Sequence, residues 1–263
     1  MHTFPLWMSS AAVAISLAVT PMAHAQITMA LDGGAQTTGY GTGLRQVGPY
    51  GGGALGFVID GSVTKEHAVL FPMNLEIRGN TTTHAWNMQM QADMLIRSGN
   101  VTIGGGGVLA VPYGGTVRNG LGSGQDVQLD DIEMFGLSGT LKLNFGPQGR
   151  AFIQGRGTVF PAGMATRFID GCNLPGDLAD QPDAGSTEQD CEQVQQEHDP
   201  AFTGATDFRL SLGYTLLHGD GPIVIRLQGV QQQLNYKQEK DNSLGAYNRT
   251  SQSVTLGVVW ILI

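Results

Sequence analysis

The sequence predicts an all-β chain folded as a closed, antiparallel, up-and-down transmembrane β-barrel of eight strands, with ten as the alternative. Three observations predict it. Long stretches are apolar at every second residue, short turns alternate with long polar links, and 39 glycines accompany a charged fraction of only 14%. A period of two marks a strand with two unlike faces. Glycine-rich, charge-poor composition suits an all-β chain that bends and packs closely.

Residues 1–25 read as a secretory signal peptide. WMSSAAVAISLAVT supplies a short apolar run and Ala23-His24-Ala25 fits the small-x-small cleavage rule. The n-region departs from the pattern in carrying only His2 as a basic group. Cleavage is expected to leave Gln26 first. No later run approaches the ~18 apolar residues of a membrane helix.

Residues 26–66 form a glycine-rich lead-in. Leu55, Phe57, Ile59, Gly61 and Val63 alternate there, and with Tyr40 to Leu44 they supply the further pair of the ten-strand alternative. The barrel proper is expected over 67–263. Its first strand places Val69, Phe71, Met73, Leu75 and Ile77 opposite Asn74, Glu76 and Arg78. WNMQMQADMLI follows, with Trp86, Met88, Met90, Ala92, Met94 and Ile96 on one face and Asn87, Gln89, Gln91 and Asp93 on the other. RSGN turns it into Val101–Tyr113. Phe135–Phe145 and Ala151–Val159 are joined by GPQGR, and Phe208–Leu216 and Ile223–Gln228 by HGDGP. Val254–Leu262 closes the series.

Eleven residues tilted near 45° span about 26 Å, close to the apolar band of a membrane barrel, whereas soluble strands average about five or six residues. The links 114–130, 161–205 and 237–248 are long and polar; only 79–84 is short where a long one is expected. Short turns at one end and long loops at the other fit periplasmic turns and extracellular loops. Trp86, Tyr113, Phe135, Phe145, Phe208 and Trp260 lie near the ends of the apolar face, where interface girdles belong.

On the AHA cleavage site, the turn–loop rhythm and the final SVTLGVVWILI, residues 67–263 resemble the small bacterial outer-membrane β-barrel proteins. The resemblance implies an outer-membrane location, with outer-membrane lipid and lipopolysaccharide as partners. That class usually ends on an aromatic residue; here Ile263 ends the chain and Trp260 stands three residues earlier.

The net charge of −8 is concentrated in one segment. Nine acids fall between Asp170 and Asp199 without a Lys or Arg, and setting them aside leaves 13 acids against 14 bases. No basic stripe invites nucleic acid. Cys172 and Cys191, the two cysteines, sit in this segment and are expected to form a disulfide in an exported protein. Asp177, Asp180 and Asp183 could gather a divalent cation or meet an extracellular ligand, although their spacing lacks the order of a calcium loop.

With the oily face toward lipid, the other face fills the lumen. Glu76, Asp93, Lys142, Arg156, Arg209 and Arg226 are expected to form an internal charge network, because buried charge must be paired. No nucleophile–base spacing marks an enzyme, and no cofactor or metal is expected. The expected role is a structural or surface-interaction barrel with a polar, side-chain-filled lumen and a disulfide-pinned acidic external loop 161–205. A small porin-like channel or transporter is the alternative, and a soluble secreted β-protein with a ligand pocket a further one. Oligomeric state is not legible.

Overall fold

In the computed structural model of the chain, the described residues are 23–40, 45–62, 67–113, 115–117, 127–129, 131–162, 165–168, 202–216, 221–236 and 248–262. Ten long strands make the wall: β1 (Ala23–Tyr40), β2 (Arg45–Ser62), β3 (His67–Asn80), β4 (Ala85–Ser98), β5 (Val101–Tyr113), β6 (Asp131–Phe145), β7 (Ala151–Pro161), β8 (Phe202–Leu216), β9 (Ile223–Tyr236) and β10 (Arg249–Leu262). Each pairs antiparallel with the next, and β1 pairs with β10, from Ile27 opposite Leu262 to Tyr40 opposite Arg249. The sheet is a closed up-and-down barrel. Short strands Gly115–Val117 and Val127–Leu129 pair with each other, and Ala165–Phe168 adds to the edge of β6.

The expectation of eight strands is therefore corrected to ten. The expected lead-in 26–66 instead supplies β2 and all of β1 but its first three residues, Ala23–Ala25, with 18 residues in each strand, and contributes the closing seam. Glycine hid them. The outward face of β1 runs Ile27, Met29, Leu31 and then Gly33 and Ala35, and that of β2 carries Gly51 and Gly53 ahead of Leu55 and Phe57. A face half built of glycine loses the oily–wet contrast that reveals a strand.

Glycine also sets close approach within the wall. Asp32 on β1, Gly52 on β2 and Arg78 on β3 share one cross-strand row. A Cβ on Gly52 would lie 2.0 Å from the Ile77 carbonyl oxygen and 2.7 Å from the Arg78 Cα. Gly52→Ala is expected to cost about 1–3 kcal/mol as overpacking. Gly33→Ala, whose Cβ meets nothing within 4 Å, should stay within about 0.5 kcal/mol of the parent. Urea titration of the two variants folded in lipid vesicles separates them; equal midpoints would refute the close packing at Gly52.

Alternation divides the wall into two surfaces. Outward-facing Ile27, Leu31, Met73, Met90, Leu137, Leu210, Leu227 and Leu256 are among many large apolar side chains left exposed. A soluble monomer does not present a belt of this extent. On β10 the belt runs from Val254 to Leu262, roughly 20 Å at barrel tilt, near the apolar height of an outer-membrane barrel. Toward the opposite strand ends, the outward positions turn polar at Gln231, Gln233, Thr250 and Gln252.

The links separate by end. Of the described links, 99–100 and 146–150 lie at one end, the turn end, and 81–84 lies at the other, the loop end, where β1, β5, β7 and β9 finish. The short 81–84 link has a local cause. The buried Asn80 side chain accepts from the backbone N–H groups of Thr82 and Thr83, at 2.9 and 3.2 Å, and its amide donates to Gln36 at 3.0 Å. This Asx turn fixes a tight reversal. Inside the loop end, Val108, Ile132, Met134, Phe160, Phe202 and Leu234 pack as an apolar cluster, with Phe202 edge-on to Tyr236 at 5.7 Å.

Candidate functional site

Polar side chains projecting inward converge between the apolar cluster and the turn end. Arg209 on β8 reaches Glu76 on β3, donating from Nη1 to both carboxylate oxygens at 2.6 and 2.8 Å. β3 and β8 stand five strands apart in a ring of ten, so this pair spans the full diameter of the lumen. The same guanidinium holds Asp207 through Nε and Nη2, both at 3.0 Å, and donates to Gln89. Each group is almost wholly buried. Paired, hydrogen-bonded charge is the form in which such burial is tolerated.

A second arrangement centres on Asp32. Arg78 donates to its Oδ2 at 2.8 Å and Arg226 at 3.4 Å. Both arginines reach it across a glycine. The cross-strand row reads Arg78, Gly52, Asp32, Gly257, Arg226, over five strands from β3 to β9. With no side chain at Gly52 or Gly257, the long guanidinium arms lie flat over the neighbouring strand. Ser138 and Asp93 repeat the device around Gly106, with Ser138 Oγ donating to Asp93 Oδ1 at 2.8 Å.

Arg156 on β7 is held differently. It donates to Gln91 and, at 3.0 Å, to Gln89, both on β4; Gln91 in turn donates to Asp93. Lys142 on β6 lies apart, its Nζ 4.3 Å from the centre of the Phe152 ring. Of the six sequence-expected network residues, Glu76, Arg209 and Arg156 thus meet at or through Gln89, while Asp93 joins through Gln91. Arg226 belongs to the Asp32 group and Lys142 stands outside both. Sequence reasoning missed Asp32, hidden in the supposed lead-in, and Asp207, which lies in phase with Arg209 one inward step earlier.

Below the charged belt the lumen opens into a vestibule of about 690 Å³. Its lining includes the turn residues Gly99, Asn100, Gln148 and Gly149, which places its mouth at the turn end. On the loop side a small cavity of about 40 Å³ lies between Tyr50, Arg78, Thr83, Asn87, Gln232 and Arg249. The expected side-chain-filled lumen is corrected accordingly. Ten strands enclose a wider bore than eight; inward side chains close it at the charged belt and at the apolar cluster toward the loop end, and leave the turn-end part open.

The outer aromatics distribute between the two ends. Trp86 is exposed near the loop end and pairs in register with Tyr113. Phe145 is exposed near the turn end, where Trp260 is half-buried. Phe135 and Phe208 are exposed further along the wall. Cys172, Cys191 and the acids Asp177, Asp180 and Asp183, the expected external-loop site, lie outside the described residues. Among the described residues there is no disulfide to pin a loop, and no cluster of three metal-ligating side chains. The surface-interaction reading built on that pinned loop gives way to the lumen.

No family model and no curated protein matches the sequence. Among solved structures, the fold is similar to the outer membrane protease OmpT from Escherichia coli, at 9% identity and a TM-score of 0.37, over 92% of this chain and 98% of that one. It is also similar to the translocator domain of autotransporter NalP from Neisseria meningitidis, at 10% identity and 0.36, over 95% and 94%. A third similarity is to a Pseudomonas aeruginosa FadL homologue, at 6% identity and 0.28, over 90% of each chain. At class level the fold resembles those of bacterial outer-membrane β-barrel proteins.

Proposed function

We propose that this chain is a small channel or transporter of the bacterial outer membrane, exported through residues 1–25, with its turn end in the periplasm and its loop end toward lipopolysaccharide. The observation that carries the reading is the Glu76–Arg209 bridge across the whole diameter of the lumen. It separates a 690 Å³ vestibule from the loop side by side chains alone at that level. Side-chain bridges can swing aside without breaking the barrel wall. Solute passage therefore requires the bridge to open, and no catalytic step is part of this reading.

Planar-bilayer recording tests it. The parent barrel is expected to give brief, infrequent openings. The variant Glu76→Gln/Asp207→Asn/Arg209→Gln, which removes the charges together, is expected to raise the open fraction at least tenfold. Silence from both proteins, in membranes shown to contain heat-modifiable folded barrel, would refute a conducting role.

A further inference from the structure

We infer that the vestibule binds organic anions with an apolar body, taking the charged head on one wall and the body on the other. The inference rests on the channel reading only for its role, because it names the solute class that such a channel would admit; the binding itself needs no current.

The two walls are chemically distinct. On β6 and β7, Thr140 is the register partner of Arg156 and Lys142 of Gln154, so four polar side chains form a compact inward patch. On β2, β3 and β4, Val58 is the partner of Pro72 and Leu70 of Leu95, giving a compact apolar patch on the same cavity. Between the walls runs β5, whose inward Gly104 pairs with Leu95 on one side and Thr140 on the other. A Cβ at Gly104 would lie 3.0 Å from Leu95 Cδ2, so the glycine lets the Leu95 side chain lie over β5 toward the polar wall.

The charges facing this space favour an anion. Five basic and two acidic side chains line it: Arg97, Lys142, Arg156, Arg209 and Arg226 against Glu76 and Asp93. Both acids are engaged, Glu76 by Arg209 and Arg78, and Asp93 by Ser138 and Gln91. Arg97 lies 3.6 Å from Asp60, Arg226 is taken up by Asp32, and Arg209 by Asp207 and Glu76. Lys142 and Arg156 remain: among the described residues neither makes an ion pair with a carboxylate. Beside them, Thr140 Oγ1 and Arg156 Nε are buried without a protein partner. Buried donors of this kind call for an acceptor. The lining is mostly polar, with Val58, Leu70, Pro72 and Leu95 as its one apolar patch, and about 690 Å³ leaves room for a molecule of two fused rings with its body on that patch.

The test uses the full-length barrel in lipid nanodiscs, with empty nanodiscs subtracted, and three probes. 2-Naphthalenesulfonate carries both parts, 2-naphthol lacks the charge, and methanesulfonate lacks the body. Calorimetric titration is expected to give naphthalenesulfonate at least a tenfold tighter Kd than either control. Lys142→Gln and Arg156→Gln should each weaken it at least tenfold without changing 2-naphthol. Leu95→Ser on the facing wall should weaken naphthalenesulfonate and leave methanesulfonate unchanged. Heat-modifiable migration confirms that each variant is folded, and Lys142, only half-buried near the turn end, gives a variant with little folding risk. Equal affinities for the three probes, or naphthalenesulfonate binding indifferent to both cationic substitutions, would overturn the inference. Those results leave the bilayer currents untouched, so the two readings fail separately.

Discussion

Arg209→Met is expected to destabilise the folded barrel by about 3–5 kcal/mol, the typical cost of removing one partner from a buried ion pair. The size follows from what stays behind. Asp207, 2% exposed, loses its guanidinium partner, and Glu76 keeps only the Arg78 Nε at 3.3 Å. Gln89 loses a donor as well. Neutralising Glu76, Asp207 and Arg209 together should cost less than the single change, because no uncompensated charge is then buried. Denaturant midpoints of barrels folded in vesicles, read by tryptophan emission and gel mobility, measure both. A single variant as stable as the parent would mean that the bridge is not closed in the folded protein.

Met90→Arg is expected to cost about 2–4 kcal/mol, the penalty for a cation on the lipid face at the bilayer midplane. Met90 is 50% exposed, faces outward from the middle of β4, and has neighbours Leu75 and Leu109 in the belt. The matched control is Gln233→Arg. Gln233 also faces outward and is exposed, but it lies above the belt toward the loop end, where the same charge should cost about 0–1 kcal/mol. Folding yield into vesicles and the denaturant midpoint report the difference. If both substitutions were equally mild, the surface around Met90 would not be in lipid.

Much of this molecule was legible from its pattern. Residues 67–263 declare eight strands because their outward positions carry Leu, Ile, Val, Met and Phe against Asn, Gln, Thr and Arg inward. The pair β1 and β2 was illegible as wall because Gly33, Gly51 and Gly53 stand where bulky apolar side chains would announce a strand. That omission propagated. With Asp32 assigned to a lead-in, Arg78 and Arg226 have no visible shared partner, and Asp93, expected within a charge network, is met by Ser138 and Gln91 instead. The vestibule was out of reach for a different reason. Bore depends on strand number and stagger, which are properties of the closed ring and of no single segment.

The glycine-spaced row Arg78, Gly52, Asp32, Gly257, Arg226 bears on how the ring closes. Asp32 lies on the first strand and Gly257 on the last, so the row crosses the seam where the two ends of the sheet meet. A slip of two residues there keeps the faces correct and preserves the ladder's hydrogen bonding, and so escapes the usual penalty for misalignment. It would, however, set Thr255 or Val259 beside Asp32 in place of Gly257. A branched side chain would then stand in the path of Arg226, and one buried carboxylate would lose half its compensation. The row thus ties the electrostatics deep in the bore to the register of the outer seam: only one alignment of first strand on last leaves Asp32 open to both arginines.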